Sequence, residues 1–203
     1  NALGMYEGAI IVTEPDTGRI LALVSKPDFD PNTISEVWDD LVNDSNSSVL
    51  VNRATQGLYP PGSTFKILTA LEYIRENPLT YQNYSFDCNG RFTSGEDTIR
   101  CFHGTKHGKV DFTTSFAKSC NSSFANMGLT LSRTSFEDTL SSLYFNQSLP
   151  VDLTTNISKV SIGTSSSDSD LIQTVIGQGT TQMTPLHLSM ITSMIANHGI
   201  MMQ

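Results

Sequence analysis

No run of apolar residues in the 203-residue chain approaches the ~18 needed to cross a bilayer as a helix. Charge is also scarce, at 16% Asp, Glu, Lys and Arg, and its balance of 12 basic to 20 acidic residues leaves a net −8. No basic stripe is visible, which argues against a nucleic-acid partner. Cysteine is limited to three residues, too few for a disulfide framework, and the odd number leaves at least one thiol unpaired. Internal repeats are lacking as well. With 38% hydrophobic residues the chain has room for a sizeable core, and this composition excludes a coiled coil, a collagen-like rod and a charge-driven disordered tail.

The ends read as cut. Position 1 is Asn, and Asn1-Ala2 reads as the remnant of a removed tag. The chain stops at Met201-Met202-Gln203, directly after a helix-ending signal. Residues 1–203 are therefore expected to be part of one domain of a longer protein.

Two aliphatic runs, Gly8 to Thr13 and Arg19 to Ser25, flank the turn Glu14-Pro15-Asp16-Thr17-Gly18 and predict a β-hairpin. Their near-continuous apolar character predicts a sheet covered on both faces. A short helix is expected over 36–41, followed by a polar stretch over 42–48. Pro60-Pro61-Gly62 breaks the chain, and Ser63 opens a helical pattern carried by Phe65, Leu68, Leu71 and Ile74 that ends before Pro78. Hairpin and loop are expected over 81–109. Helices follow over 112–118, 121–131 and 135–143, the last with a Thr134-x-x-Glu137 capping box. Residues 164–170 read as loop. The final helix is marked by Thr184 as N-cap, Pro185 at its first position and Gly199 beyond its end. Strands first and helices after, without βαβ alternation, indicate an α+β fold.

Ser63-Thr64-Phe65-Lys66 places an amine one helical turn from a hydroxyl. A serine becomes a nucleophile when a base takes its proton, and an amine can do so if burial depresses its pKa. Backbone N–H groups at a helix start suit a developing oxyanion. The bare pattern is common in a Ser-rich chain, and Ser115-Phe116-Ala117-Lys118 is a second match, read as ordinary mid-helix sequence.

The longer string Tyr59-Pro60-Pro61-Gly62-Ser63-Thr64-Phe65-Lys66 resembles the active-site motif of the penicillin-binding proteins. Ser119-Cys120-Asn121, 56 residues after Ser63, resembles their Ser-x-Asn motif. Gly8 to Ala22, Asp28-Phe29-Asp30-Pro31-Asn32, Asn52-Arg53-Ala54 and Gly177-Gln178-Gly179 with Thr184-Pro185-Leu186 resemble further stretches of the transpeptidase domain, in the right order. The resemblance is to the class B, monofunctional transpeptidases of Gram-positive bacteria. It implies the penicillin-binding-protein/β-lactamase-like fold, an antiparallel sheet with a helical subdomain, here incomplete at the C-terminus. It also implies roles: Ser63 acylated by the D-Ala-D-Ala end of a peptidoglycan stem peptide or by a β-lactam, Lys66 as base, Ser119 as proton relay to the leaving amine, and Asn121 as a hydrogen-bonding partner of the substrate amide. No cofactor is implied for catalysis. The implied setting is the extracytoplasmic face of a bacterial membrane, with the parent anchored by an N-terminal helix and working in a wall-synthesis complex.

The family's third motif, Lys-Ser/Thr-Gly, does not occur, since none of the six lysines is followed by Ser-Gly or Thr-Gly. Truncation before that motif, and a fragment inactive alone, are the expectation. Two other functions share the serine chemistry: a D,D-carboxypeptidase or β-lactamase, with water as acceptor, and a β-lactam sensor that signals without turnover.

Cys88, Cys101, His107 and Cys120 together make a set of three sulfurs and one imidazole suited to a structural zinc ion. Their spacing matches no common zinc finger, and the alternative is buried free thiols, with or without a Cys88–Cys101 disulfide across a hairpin. The family resemblance favours zinc beside Ser-x-Asn. Asp87 is the substitute ligand and His103 a further one, whereas His187 and His198 are expected to be structural.

Overall fold

The computed structural model describes residues 2–45 and 48–202. Asn1 of the expected tag remnant, Asn46 and Ser47 of the polar stretch, and Gln203 lie outside the described residues. The chain divides into two compact units, 1–59 with 147–158 and 183–203, and 60–146 with 159–182.

In the first unit, β1 (Gly8–Thr13) and β2 (Ile20–Lys26) form the expected antiparallel hairpin. A register shift at Val12/Thr13 leaves Leu21 unpaired. Helix α7 (Pro185–Ala196) packs on β1, and the Thr13 hydroxyl meets those of Ser189 and Ser193 at 3.2 and 2.7 Å. Side chains alternate between faces of a strand, so Val12 points the other way, and there the hairpin is open. Val12 and Val24 are 45% and 41% exposed. Of the two expected covers, the described residues show one, α7. Helix α1 (Ile34–Asn43) extends two residues beyond each expected end. The start of α7 is as expected, with the Thr184 side chain accepting from the His187 N–H and Pro185 at the first position.

The second unit is built around α2 (Lys66–Glu76), which a 3₁₀ turn over Gly62–Phe65 precedes. Ser63 therefore lies in that tighter turn rather than in the α-helix itself. Phe65 is buried against Phe136 and Phe145, with ring centroids 6.4 and 5.7 Å away. Farther along α2, the fully buried Glu72 carboxylate ties the helix to α5 (Arg133–Ser142). It accepts from Ser135 Oγ at 2.8 Å and Thr139 Oγ1 at 2.6 Å and pairs with Arg75 at 2.9 Å. Burial alone would raise its pKa. The bonds from Arg75, Thr139 and Ser135 more than offset that and hold it below the usual value.

The hairpin-and-loop segment is two antiparallel pairs, β3 (Ser85–Cys88) with β6 (Gly108–Asp111) and β4 (Arg91–Ser94) with β5 (Asp97–Arg100). Helices α3 (Phe112–Ala117) and α4 (Asn121–Gly128) follow. Two expectations at helix starts are corrected. The cap of α5 is Ser132, whose hydroxyl accepts from the Ser135 N–H, not a Thr134–Glu137 box. Residues expected as loop contain α6 (Asp168–Thr174), opened by a Ser167/Asp170 capping box. A Ser/Asp-rich stretch reads as loop because the same residues that favour turns also favour caps.

Candidate active site

Three segments of the second unit converge on one amine. The Lys66 side chain is only 1% exposed, while Ser63 at the turn before it is open to solvent. Lys66 Nζ stands 3.0 Å from Ser63 Oγ, 2.9 Å from both the Ser119 carbonyl oxygen and Ser119 Oγ, and 2.6 Å from Asn121 Oδ1. The Phe124 ring lies 5.6 Å away on the buried side. Burial depresses the Lys66 pKa from its ordinary 10.5 to about 8, with nearby Cys120 and Cys101 acting weakly in the other direction. At neutral pH about a tenth of the amine is unprotonated. An unprotonated amine has two N–H groups and one lone pair, so it can donate to Ser119 and Asn121 while accepting the Ser63 proton.

The turn holding Ser63 is fixed by close backbone packing. Gly62 N–H donates to the Gly177 carbonyl at 2.9 Å. Gly177 has φ +71°, and a Cβ there would stand 2.1 Å from the Gly62 carbonyl oxygen, so this approach requires glycine. Thr69 adds a second tie, donating to the Val175 carbonyl at 2.8 Å.

Ser119 is aimed by the way α3 ends. Its own N–H bonds the Phe116 carbonyl at 2.9 Å, and the next N–H, of Cys120, bonds the Ser115 carbonyl at 2.9 Å. That pair of bonds is a Schellman motif, with Ser119 in the left-handed position usually given to glycine, at φ +50°. A non-glycine residue there costs about 1 kcal/mol. The turn places both the carbonyl and the hydroxyl of Ser119 on Lys66. Asn121 opens α4, with its Nδ2 donating to the Arg100 carbonyl at 3.0 Å and its Oδ1 facing the amine.

Between these two residues, Cys120 turns its side chain inward to a buried cluster with Cys88 and Cys101. Cys101 Sγ lies 3.6 Å from Cys88 Sγ and 3.8 Å from Cys120 Sγ, and Cys88 Sγ lies 3.5 Å from His107 Nδ1. All four ligand atoms fall within 4.8 Å of one another. All three cysteines are free and buried, with no bond between Cys88 and Cys101. Burial raises Cys88, but N–H groups of His107 and Gly90 outweigh it and bring the thiol down to about 6. Burial pushes Cys120 up to about 12. Asp87 is exposed on β3, His103 is exposed in a separate 3₁₀ turn, and neither belongs to the cluster. His187 is buried within α7 and His198 follows its end.

The structure thus brings together Ser63, Lys66, Ser119 and Asn121, and beside them Cys88, Cys101, His107 and Cys120. Sequence reasoning missed the anchoring role of Gly177, although the Gly-Gln-Gly string marked the place. It also missed the Glu72 clamp, for which a lone Glu within a helical pattern offers no signal. The second Ser-x-x-Lys match is as expected: Ser115 is buried in α3 and accepts from Ser123 Oγ at 2.6 Å.

A buried amine poised between an exposed hydroxyl and a Ser-x-Asn turn is the arrangement of a serine acyl-transfer site. The model of the penicillin-binding protein transpeptidase domain matches residues 8–203, and the chain belongs to that family. Among curated relatives, it is 29% identical to the peptidoglycan D,D-transpeptidase PbpA of Mycolicibacterium smegmatis over 98% of the chain and 43% of that protein. It is 30% identical to the peptidoglycan D,D-transpeptidase MrdA of Escherichia coli over 95% of the chain and 32% of that protein. Among solved structures, penicillin-binding protein A of M. tuberculosis, as a ceftriaxone acyl-enzyme, aligns with a TM-score of 0.83 at 30% identity, covering 96% of this chain and 46% of that one. PBP2 of Pseudomonas aeruginosa aligns at 0.88 with 27% identity, covering 97% and 48%. The chain therefore spans less than half the length of these relatives, and the fold is that of the penicillin-binding transpeptidases.

Proposed function

We propose that the chain carries the acylating half of a serine-type peptidoglycan D,D-transpeptidase, and that the observation carrying this reading is the buried Lys66 amine 3.0 Å from the exposed Ser63 hydroxyl. Lys66 takes the Ser63 proton as Oγ attacks the carbonyl carbon of the penultimate D-Ala. The C–N bond to the terminal D-Ala breaks, and its nitrogen receives a proton from Ser119 Oγ, which Lys66 re-supplies. Asn121 orients the amide of the acyl portion. An acceptor amine from a second stem peptide then attacks the Ser63 ester, giving a new amide and the free hydroxyl. A β-lactam enters by the same attack, opening its ring. The named activity of PbpA and MrdA and the acyl-enzyme of penicillin-binding protein A support the reading.

On this reading the protein works outside the cytoplasmic membrane, where peptidoglycan is assembled, and its parent is membrane-anchored. Among the described residues no helix is long and apolar enough to cross a membrane. A wall-synthesis partner is part of the proposal, supported by the complex of PBP2 with MreC from Helicobacter pylori. The 203 residues hold no Lys-Ser-Gly or Lys-Thr-Gly, so the chain alone is expected to acylate poorly, and joining it to a segment with that motif should restore the rate.

The reading includes a zinc ion on Cys88, Cys101, His107 and Cys120. The donor set fits: tetrahedral zinc with sulfurs at about 2.3 Å spaces them about 3.8 Å apart, close to the observed separations of 3.6 and 3.8 Å. The ion would contribute structural cross-linking, with four protein ligands leaving no open position. Cys120 would be pinned by it, and with it Ser119 and Asn121. Elemental analysis of protein purified without added metal should find about one equivalent; a near-zero content in reduced, folded protein would refute the site.

The serine assignment is tested by fluorescent penicillin with peptide mapping of the adduct. Labelling at Ser63 alone is expected. An adduct elsewhere would overturn the assignment, and rapid release of hydrolysed penicillin would move the function to a hydrolase.

A further inference from the structure

Away from the amine, Arg91, Arg100 and Lys106 line one cavity of about 390 Å³, together with Asn89, Gly90 and Gly104. Three of the chain's 12 basic residues thus face one space in a protein of net charge −8. Arg91 and Arg100 are direct partners across the β4–β5 pair, and like charges directly opposite each other on a sheet repel. Among the described residues, no carboxylate forms an ion pair with any of the three. The acidic residues of the same hairpin, Glu96 and Asp97, lie at its far end, where Ser94 pairs with Asp97.

The cavity is also built, and its wall is main chain. Gly90 has φ +95°, and a Cβ there would stand 2.5 Å from the Gly104 carbonyl oxygen. The Gly90 carbonyl accepts from the Cys101 N–H at 3.0 Å. Arg100 connects the cavity to the acylating site, because its carbonyl accepts from Asn121 Nδ2 at 3.0 Å.

We propose that this cavity is a carboxylate-binding subsite for the acidic peptide strand whose end reaches Ser63. The inference rests on the acyl-transfer reading. Two exposed arginines lining one cavity can bring planar donor pairs to a carboxylate, and Lys106 adds a third positive charge. An anion between Arg91 and Arg100 would turn a repulsive cross-strand pair into two attractive contacts. Because the bound carboxylate would sit next to strand β5, whose Arg100 carbonyl holds Asn121, it would fix the register of the peptide while Asn121 orients the amide of the acyl portion.

The test uses two labelled synthetic peptides ending in D-Ala-D-Ala, one carrying a free side-chain carboxylate upstream of that end and one with that group converted to the primary amide. Anisotropy titrations against the chain at low salt should show the free acid binding about 3- to 10-fold more tightly, with the preference falling as salt rises. Arg91→Gln and Arg100→Gln should each reduce the preference about 3-fold, and the double variant should abolish it while leaving the affinity of the amide unchanged. Arg91→Lys should retain part of it. Equal binding of the two peptides, no binding of either, or an unaltered preference in the double variant would overturn the proposal. Penicillin labelling of the same variants, each joined to a Lys-Ser/Thr-Gly segment, separates the two readings. Loss of Ser63 labelling in the otherwise unaltered protein defeats the serine assignment, whereas intact labelling with no carboxylate preference defeats the subsite alone.

Discussion

Ser63–Lys66 and Ser115–Lys118 have the same spacing and opposite environments. At the first pair the serine is exposed and the lysine buried; at the second, the serine is buried and the lysine exposed. Lys66 is ringed by oxygen acceptors and the Phe124 ring, and loses most of the hydration that favours an ammonium. Lys118 reaches the His107 carbonyl at 3.4 Å from solvent, and Ser115 Oγ is occupied as the acceptor of the Ser123 hydroxyl. One helical turn therefore brings two groups near each other, but chemistry depends on which of them faces water. The Pro-Pro-Gly break before Ser63 decides this, because it forces a 3₁₀ turn that exposes the hydroxyl before the helix sinks its lysine.

The largest effects should come from breaking the first pair. In a form joined to a Lys-Ser/Thr-Gly segment, Ser63→Ala is expected to abolish penicillin labelling. Lys66→Ala should slow it by about 10²–10⁴-fold, the usual worth of a general base. Ser115→Ala and Lys118→Ala should leave labelling intact; a loss there equal to that of Ser63→Ala would erase the distinction between the two pairs.

Next in size is the pH response. As Lys66 has a pKa depressed to about 8, its neutral fraction rises about tenfold per unit below that value. The acylation rate should climb with pH from 6 and level off near 8. A flat profile across that range would show that another group takes the proton.

Ser119 allows backbone and side chain to be separated. Ser119→Gly suits the left-handed turn and should hold or raise the melting temperature, yet slow acylation by about 10²-fold through loss of the hydroxyl. Ser119→Ala should cost similar activity and also about 1 kcal/mol of stability relative to glycine. Equal melting temperatures for the two variants would count against strain at this turn. The smallest effect concerns Glu72→Gln, which leaves the donors of Arg75, Ser135 and Thr139 facing a weaker acceptor. Denaturant unfolding should show a loss of about 1–3 kcal/mol, with labelling at Ser63 retained under folding conditions.

Much of this arrangement is legible in the sequence, for identifiable reasons. The hairpin, α2 and α7 carry strong local signals: a Pro-Asp-Gly turn, a helical period after a proline break, and a Thr-Pro cap. Ser63, Lys66, Ser119 and Asn121 are legible only through the longer strings around them, since Ser-x-x-Lys alone selects Ser115 equally well. What was not legible depends on tertiary placement. The second face of the β1–β2 hairpin reads as buried because its residues are apolar, but periodicity cannot say which element covers it. Helix α6 was hidden because its cap and its first turn are Ser and Asp. The convergence of Arg91, Arg100 and Lys106 depends on a cross-strand register that no spacing along the chain reveals.

The left-handed turn at Ser119 has a consequence for how the site is assembled. Its two defining bonds join residues three and five positions apart, so that half of the site is built from local contacts with little loop entropy to overcome. The bonds from Lys66 to Ser119 and Asn121 span 53 and 55 residues and carry the entropy of closing a long loop. Assembly of the site is thus the docking of a lysine onto a mould that the chain casts locally, and lengthening the connecting segment should slow that docking without altering the shape of the turn.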